Sequence, residues 1–169
     1  KSYLQHKFPL VTANDNVFLN GAACATQSIV DATQQLLQGE ALIFNDIVIA
    51  YRSPFEVVSP QNELKLIAFN GPVTCIQRVW DIYAENGAQI KADFAAITQN
   101  RTSQSLTDPH TRCYAPENIF IEEGAKIHAA ILNAENGPIY IGKNAVINEG
   151  SIVIGPFSLG EGATVNWGG

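Results

Sequence analysis

The sequence contains no methionine and few basic residues. Its 169 residues include 10 Lys and Arg against 16 Asp and Glu, which gives a formal net charge of −6. A wide nucleic-acid interface needs Lys and Arg to neutralise phosphates, and a membrane-surface patch needs a basic cluster. The composition therefore argues against a nucleic acid or a membrane as a partner.

Long apolar segments and paired cysteines are also missing. No stretch approaches the roughly 18 apolar residues of a membrane-spanning helix, and the first residues, KSYLQHKFPLVTANDNV, lack the apolar core of a signal peptide. The three cysteines, Cys24, Cys75 and Cys113, are too far apart for a zinc site and odd in number for a disulfide framework. We expect free thiols in a reducing compartment, hence a cytoplasmic location, and no metal ligands.

The two ends of the chain are unusual. The chain begins with Lys1 instead of methionine and stops at NWGG, partway through a repeat. We expect a fragment of a longer protein, a processed chain, or a sequence from which modified residues were dropped.

Residues 1–98 alternate between patterns typical of strands and of helices. In chain order the patterns predict a strand at 17–19, a helix at 26–39, a hairpin turning at Asn45-Asp46, a strand at 64–69, and two helices separated by Asn86-Gly87. In the first of those two helices, Val79, Trp80 and Tyr83 fall on one face, which indicates packing. Residues 99–117 lose all periodicity and predict a connector between domains.

From residue 118 a branched aliphatic residue returns at every sixth position. The positions are Ile121, Ile127, Ile141, Ile147, Val153, Leu159 and Val165. The fourth residue after each is mostly small: Ala125, Ile131, Ala145, Ser151, Phe157 and Ala163. The longer step from 127 to 141 contains NAENGP (133–138), a predicted loop. A period of six fits neither a helix nor an exposed strand, but it fits a coil of three short strands per turn, with one inward aliphatic residue each.

This repeat resembles the hexapeptide-repeat proteins, whose fold is a left-handed parallel β-helix. Many of those proteins are acyl-CoA-dependent acyltransferases, and many are trimers. Upstream, the segments NVFLNGA, SIVDATQQLLQGEALIFNDIVIAYR and WDIYAENGAQIKADF, followed by NIFIEEGAKIHAAILNAENGPIYIGKNAVINEGS, resemble the GlmU-like sugar-1-phosphate nucleotidyltransferases. In that family a nucleotidyltransferase-like domain precedes the β-helix.

The resemblance implies a fold class and a domain division. We expect a partial α/β nucleotidyltransferase-like segment of Rossmann type over 1–98, a connector over 99–117, and a truncated left-handed parallel β-helix over 118–169. The implied function is transfer of a nucleotidyl group from an NTP to a sugar phosphate, with Mg²⁺ and release of pyrophosphate. The implied partners are the NTP, the sugar phosphate and two further copies of the chain, in a homotrimer joined through the β-helix.

Three departures from the family limit what this chain can do alone. The Gly-rich, basic phosphate loop of nucleotidyltransferases is missing, since FNGPVT has neither its glycine spacing nor a following Lys or Arg. Ala22 stands where the family often has its metal-binding aspartate, and alanine cannot ligate magnesium. The β-helix stops before the later coils of the related bifunctional enzyme, which acetylates glucosamine-1-phosphate and then uridylylates it. We therefore expect this stretch to be inactive alone, with no cofactor site evident in it.

Two alternatives remain open. One is an acyl-CoA-dependent hexapeptide acyltransferase that acetylates an amino sugar from acetyl-CoA, and the other is a non-catalytic β-helix that trimerises or regulates a catalytic partner. Asn20 and Gly21 either contact a nucleotide-sugar at a strand's carboxyl end or form an ordinary turn. His128 is either the proton acceptor of the acyltransferase alternative or a solvated surface histidine.

Overall fold

The computed structural model describes residues 13–168; residues 1–12 of the predicted first segment, and Gly169, lie outside the described residues. The chain is a mixed α/β protein with several parallel strands, and it divides after Arg78 into two compact units. This division does not coincide with the predicted bounds at 98/99 and 117/118, which stay predictions. Within residues 13–168, no helix is long and apolar enough to cross a membrane.

The first unit contains a four-stranded mixed sheet. Its strands are β1 (Asn16–Leu19), β2 (Glu40–Phe44), β3 (Ile47–Ser53) and β4 (Lys65–Ala68), in the order β1-β3-β2-β4. Strand β3 is antiparallel to β1 and β2, whereas β4 is parallel to β2. Helices α1 (Gln27–Gln34) and α2 (Pro60–Glu63) complete the unit. The predicted strands, the hairpin and the first helix are confirmed.

Local chemistry explains these elements. The Thr26 hydroxyl accepts a hydrogen bond from the Ile29 N–H group at 3.4 Å and caps the start of α1. The hairpin turns at Asn45 and Asp46, whose φ angles of 47° and 65° are those that a tight two-residue turn requires. Beyond the end of α1, Leu36 packs against the sheet and is 2% exposed.

The second unit begins with one long helix, α3 (Val79–Thr98). The prediction of two helices separated at Asn86-Gly87 was wrong. Gly87 lies inside the continuous helix, where a Cβ atom would stand 3.4 Å from the Pro156 ring, an ordinary van der Waals distance. The expected inward packing of Trp80 and Tyr83 was also wrong, because they are 64% and 90% exposed. The apolar contact of α3 comes later, where Phe94 lies beside Tyr140.

The rest of the second unit is a coil of short strands. The strands are β5 (Arg112–Tyr114), β6 (Ile119–Ile121), β7 (Lys126–Ile127), β8 (Ile131–Asn133), β9 (Ile139–Ile141), β10 (Val146–Ile147), β11 (Ile152–Ile154), β12 (Phe157–Leu159) and β13 (Thr164–Val165). They form three parallel sheets, β5-β8-β11, β6-β9-β12 and β7-β10-β13. Paired residues lie 18 to 21 positions apart, as Leu159 does from Ile141 and Val153 from Leu132. Each turn of the coil therefore contributes one strand to each sheet.

The aliphatic repeat lines a single core shared by the three sheets. Six of its seven residues are buried, and Val165 packs against them. Ile131, the fourth residue after Ile127, is 38% exposed. Leu132 is fully buried, only five residues after Ile127, and Ala130 fills the small position. The step from Ile127 to the next inward residue, Leu132, is five residues instead of six. The side chains of β8 therefore lie on the opposite faces from those that a step of six would give.

Candidate functional site

A cavity of about 280 Å³ lies in the first unit where β1 ends. Its wall includes Phe18 and Asn20 from the end of β1, Tyr51 from β3, and Glu56 from the loop after β3. Asn20, one of the two residues for which the sequence predicted contact with a nucleotide-sugar, is part of this wall.

Asn20 is held firmly by the sheet. Its Nδ2 atom donates to the Val48 carbonyl at 2.8 Å, and its Oδ1 atom accepts from the Ala22 N–H group at 3.0 Å. Its backbone N–H donates to the Ile49 carbonyl at 2.8 Å. These bonds fix the turn and leave Gly21 exposed, with open space where a Cβ atom would stand. The predicted contacts of Asn20 and Gly21 with a ligand stay predictions.

Two aromatic rings stand together at this cavity. Phe18 and Tyr51 face each other across β1 and β3, with ring centroids 4.7 Å apart and planes at 12°. The Tyr51 hydroxyl accepts a hydrogen bond from the Val57 N–H group at 3.2 Å, which anchors the ring. The sequence showed both residues as strand formers, but only the register of β1 on β3 brings them into contact.

The described residues offer no ready metal centre. Within residues 13–168, no group of three or more His, Cys, Asp or Glu side chains is arranged to hold a metal ion. Ala22 follows the end of β1 and offers no side-chain oxygen, and Glu56 is the one carboxylate among the described residues that line this cavity. A single carboxylate does not make a site for Mg²⁺, which requires several oxygen ligands.

A second cavity, of about 310 Å³, lies in the second unit beside His128. One wall is residues 104–109, and the other is the segment 125–128 that contains β7. The N–H group of Gln104 donates to the Ile121 carbonyl at 2.8 Å, which seats this wall on the coil. His128 is exposed at the cavity, so the structure gives it access to a small molecule without testing its predicted role.

Two carboxylates lie near His128. Asp108 accepts hydrogen bonds from the Thr111 hydroxyl and from the Ala129 N–H group, and these bonds lower the pKa of its carboxyl. The pKa of Glu149 is lowered first by its own backbone N–H group and then by the Trp167 indole N–H, with a smaller contribution from His128. Both carboxylates are therefore ionised at neutral pH, and they give the surroundings of His128 a negative charge.

An ion pair that spacing could not reveal joins Arg101 to Glu122. The Arg101 Nη2 atom lies 2.7 Å from both carboxylate oxygens, and the Tyr140 hydroxyl donates to Oε1 at 2.6 Å. The guanidinium also lies over the Phe120 ring, 5.2 Å from its centroid. Burial raises the pKa of Tyr140, and the Tyr140 hydroxyl and Arg101 together lower the pKa of Glu122. These partners are all engaged with one another, which indicates a structural clamp.

Comparison with known proteins bears on the first unit. No curated protein matches the chain significantly. The family model described as sugar nucleotidyl transferase matches residues 1–102, which is more than half of the 169 residues. The match contains Asn20, Gly21 and the cavity at the end of β1, whereas His128 lies outside it. The chain therefore belongs to the sugar nucleotidyl transferase family.

Proposed function

We propose that the protein containing this chain transfers a nucleotidyl group from an NTP to a sugar phosphate. An oxygen of the sugar phosphate attacks the α-phosphorus, the bond to the β-phosphate breaks, and pyrophosphate leaves. The observation that carries this proposal is the family match over residues 1–102.

The end of β1 supports a place for the nucleotide-sugar. Because Asn20 is held by three strong hydrogen bonds, the backbone of Gly21 has a fixed position beside the cavity. A glycine that is exposed and free of neighbours lets a ligand approach the backbone closely. We propose that Gly21 presents its backbone to the substrate and that Asn20 positions it.

Catalysis needs more than the described residues supply. The sequence has no Gly-rich basic loop for the NTP phosphates, and Ala22 cannot ligate a metal. Mg²⁺ stays a proposal for the whole protein and has no assigned ligand within residues 13–168. We expect the 169-residue chain to bind substrate without turning it over.

Pyrophosphate release tests the activity. The full-length protein is incubated with Mg²⁺, with UTP or dTTP, and with a panel of sugar 1-phosphates. We expect release with at least one pair, and none from the 169-residue chain measured in parallel. If the full-length protein releases no pyrophosphate with any pair, the proposed activity is wrong.

We further propose that the segment predicted over 118–169 forms a left-handed parallel β-helix of hexapeptide repeats, and that β5, within the predicted connector, adds a strand to it. Three parallel sheets around one aliphatic core support it, while the handedness comes from the resemblance to hexapeptide-repeat proteins. An apolar outer face on the sheet β5-β8-β11 supports a homotrimer. There Ile131, Ile152 and Ile154 are 38%, 57% and 58% exposed, and Ile131 pairs with Ile152.

Sedimentation tests the trimer and, with it, a non-catalytic trimerising or regulatory role. We expect Ile152→Lys to shift the chain toward monomer, because a charge on an apolar contact face is costly to bury. Thr164→Lys, on an exposed position of β13, is the matched control and leaves the trimer unchanged. A wild-type chain that sediments as a monomer at micromolar concentration contradicts the trimer.

His128 and its cavity favour one alternative, acyl transfer from acetyl-CoA to an amino sugar. A histidine beside a small cavity can take a proton from an attacking amine. Nothing in the described residues is specific to a CoA thioester. The role proposed for His128 is therefore only to accept the proton of the attacking amine. Release of CoA thiol with amino-sugar acceptors, lost in His128→Ala, supports this alternative; no release by the wild type excludes it.

A further inference from the structure

We propose that the cavity at the end of β1 binds the neutral pyranose ring of the sugar phosphate, and that the phosphates and the nucleotide lie outside it. This inference rests on the proposed nucleotidyl transfer, because it assigns one part of the substrate to one part of that site. It concerns Phe18, Tyr51, Glu56 and Asn20, all in the first unit.

The size of the cavity limits what it can hold. Its volume of about 280 Å³ lies just below the roughly 300–1,000 Å³ range of sites for drug-sized ligands. A complete nucleotide-sugar has two sugar rings, a base and two phosphates. The cavity is therefore suited to a single ring of such a molecule.

The wall of the cavity offers no positive charge to a phosphate. In the described part of the chain, none of the residues that line the cavity is Lys or Arg. Glu56 lines it instead, exposed and without a hydrogen bond or ion pair to any residue within 13–168. A carboxylate repels a phosphate, since both carry negative charge. The wall therefore favours the uncharged ring of the substrate over its phosphate.

The polar groups match hydroxyls. An ionised carboxylate only accepts hydrogen bonds, and it accepts strong ones from hydroxyl groups. Asn20 adds a donor, because its Nδ2 atom has two hydrogens and gives one of them to the Val48 carbonyl. Because both residues line the cavity, a sugar hydroxyl there can donate to Glu56 or accept from Asn20.

The aromatic pair supplies the apolar surface. A pyranose has a face of C–H groups that packs against an aromatic ring. Phe18 and Tyr51 are both half-buried at the cavity, and the bond from Val57 to the Tyr51 hydroxyl holds the pair in place. A rigid aromatic surface with a few fixed polar groups is the usual composition of a small-molecule site.

Saturation-transfer NMR on the 169-residue chain tests the assignment. The probes are glucose 1-phosphate, N-acetylglucosamine 1-phosphate, uridine and inorganic phosphate. We expect saturation of the pyranose ring protons, with no competition from uridine or phosphate. Glu56→Gln should weaken binding about tenfold, equivalent to about 1.4 kcal/mol, and Phe18→Leu should reduce transfer to the ring C–H protons. Glu161→Gln, an exposed glutamate of the second unit, is the matched control.

The outcomes separate this inference from the proposed function. Binding of uridine that is sensitive to Glu56→Gln would assign the cavity to the nucleobase and overturn the inference. No binding of either sugar phosphate, or binding indifferent to Glu56→Gln, overturns it as well, even if the full-length protein releases pyrophosphate. If the sugar phosphates bind with the expected sensitivity to Glu56→Gln but the full-length protein releases no pyrophosphate, the assignment of the cavity to the sugar ring stands. Only the proposed nucleotidyl transfer is then wrong. Glu56 is exposed and unpaired, so Glu56→Gln decides the matter if Phe18→Leu unfolds.

Discussion

The Oδ2 atom of Asp108 lies 2.9 Å from the backbone nitrogen of Ala129, which donates a hydrogen bond to it. Three other contacts have the same form: Ile121 N–H to Ser103 Oγ at 2.9 Å, Gly124 N–H to Gln104 Oε1 at 3.1 Å, and Ala130 N–H to Thr111 Oγ1 at 3.2 Å. Side-chain oxygens of residues 103–111 thus bond N–H groups along the first turn of the coil. An unpaired sheet edge invites association with other chains, and this segment covers part of one.

Removing the Asp108 carboxylate should weaken the coil. Asp108→Ala leaves the Ala129 N–H group and the Thr111 hydroxyl without their acceptor, and an unmade hydrogen bond costs more than a made one contributes. We expect a lower midpoint of urea unfolding with an unchanged slope. Glu123→Ala is the control, because that side chain is 88% exposed. Equal midpoints for the two variants would show that Asp108 does not support the edge.

The same carboxylate should make stability depend on pH. Its pKa is lowered in the folded chain from the ordinary 3.8, chiefly by the Thr111 hydroxyl and then by the Ala129 N–H group. The stabilisation is complete above that ordinary value and is lost as the pH falls through the lower folded pKa. We expect the difference in unfolding free energy between the wild type and Asp108→Asn to shrink as the pH falls below about 4. A difference that is constant from pH 7 to pH 3 contradicts the shift.

The register of β8 can be tested with two neighbouring residues. Leu132 is fully buried in the aliphatic core, whereas Ile131 faces outward. We expect Leu132→Ala to lower the unfolding free energy by about 2–5 kcal/mol. Ile131→Ala should cost less than about 1 kcal/mol when both substitutions are made in the Ile152→Lys chain, where the outer face is not buried between copies. A larger loss from Ile131→Ala would mean that the strand pairs one residue out of register.

The sequence showed which aliphatic residues repeat after 141, but not the irregular step before them. Every strand after 141 places one aliphatic residue inward, so the period of six is visible in the letters. Between Ile127 and Ile141 a step of five reaches Leu132 and a step of nine follows. Only the total of fourteen is legible, because Ile131 and Leu132 are equally apolar. Pairing with Cys113 and Val153 fixes which of the two points inward.

Long-range contacts decided the other differences. Gly87 looked like the end of a helix, yet it lies inside α3, beside Pro156 from far along the chain. The turn at Asn20 was readable from its type, whereas its bond to Val48 depends on how β3 lies beside β1. The sequence indicated only those site residues that belong to a local pattern, such as the turn at Asn20. No local pattern indicated that Glu56 lines the cavity.

The carboxyl of Glu122 should respond to the loss of the Tyr140 hydroxyl. The Tyr140 hydroxyl is the largest cause of its lowered pKa, ahead of Arg101. In Tyr140→Phe we expect the Glu122 pKa to rise toward the ordinary 4.5, because the ring stays and only the hydrogen bond is lost. Carbon-detected NMR titration of the side-chain carboxyl measures it. A Glu122 pKa that is unchanged in Tyr140→Phe would contradict the hydrogen bond.

Close approach between turns of the coil predicts a difference between two glycines. A Cβ atom on Gly142 would lie 2.7 Å from the Leu159 carbonyl oxygen and 2.8 Å from the Glu161 nitrogen, both backbone atoms of the next turn. Gly142→Ala must therefore push two turns apart and strain the bond from Gly142 N–H to the Leu159 carbonyl, at a cost of about 1–3 kcal/mol. A Cβ atom on Gly160 would stand in open space, so Gly160→Ala should change the unfolding free energy by less than about 1 kcal/mol. Chemical denaturation of both variants measures the difference. Equal losses of unfolding free energy would contradict the close approach of the two turns at Gly142.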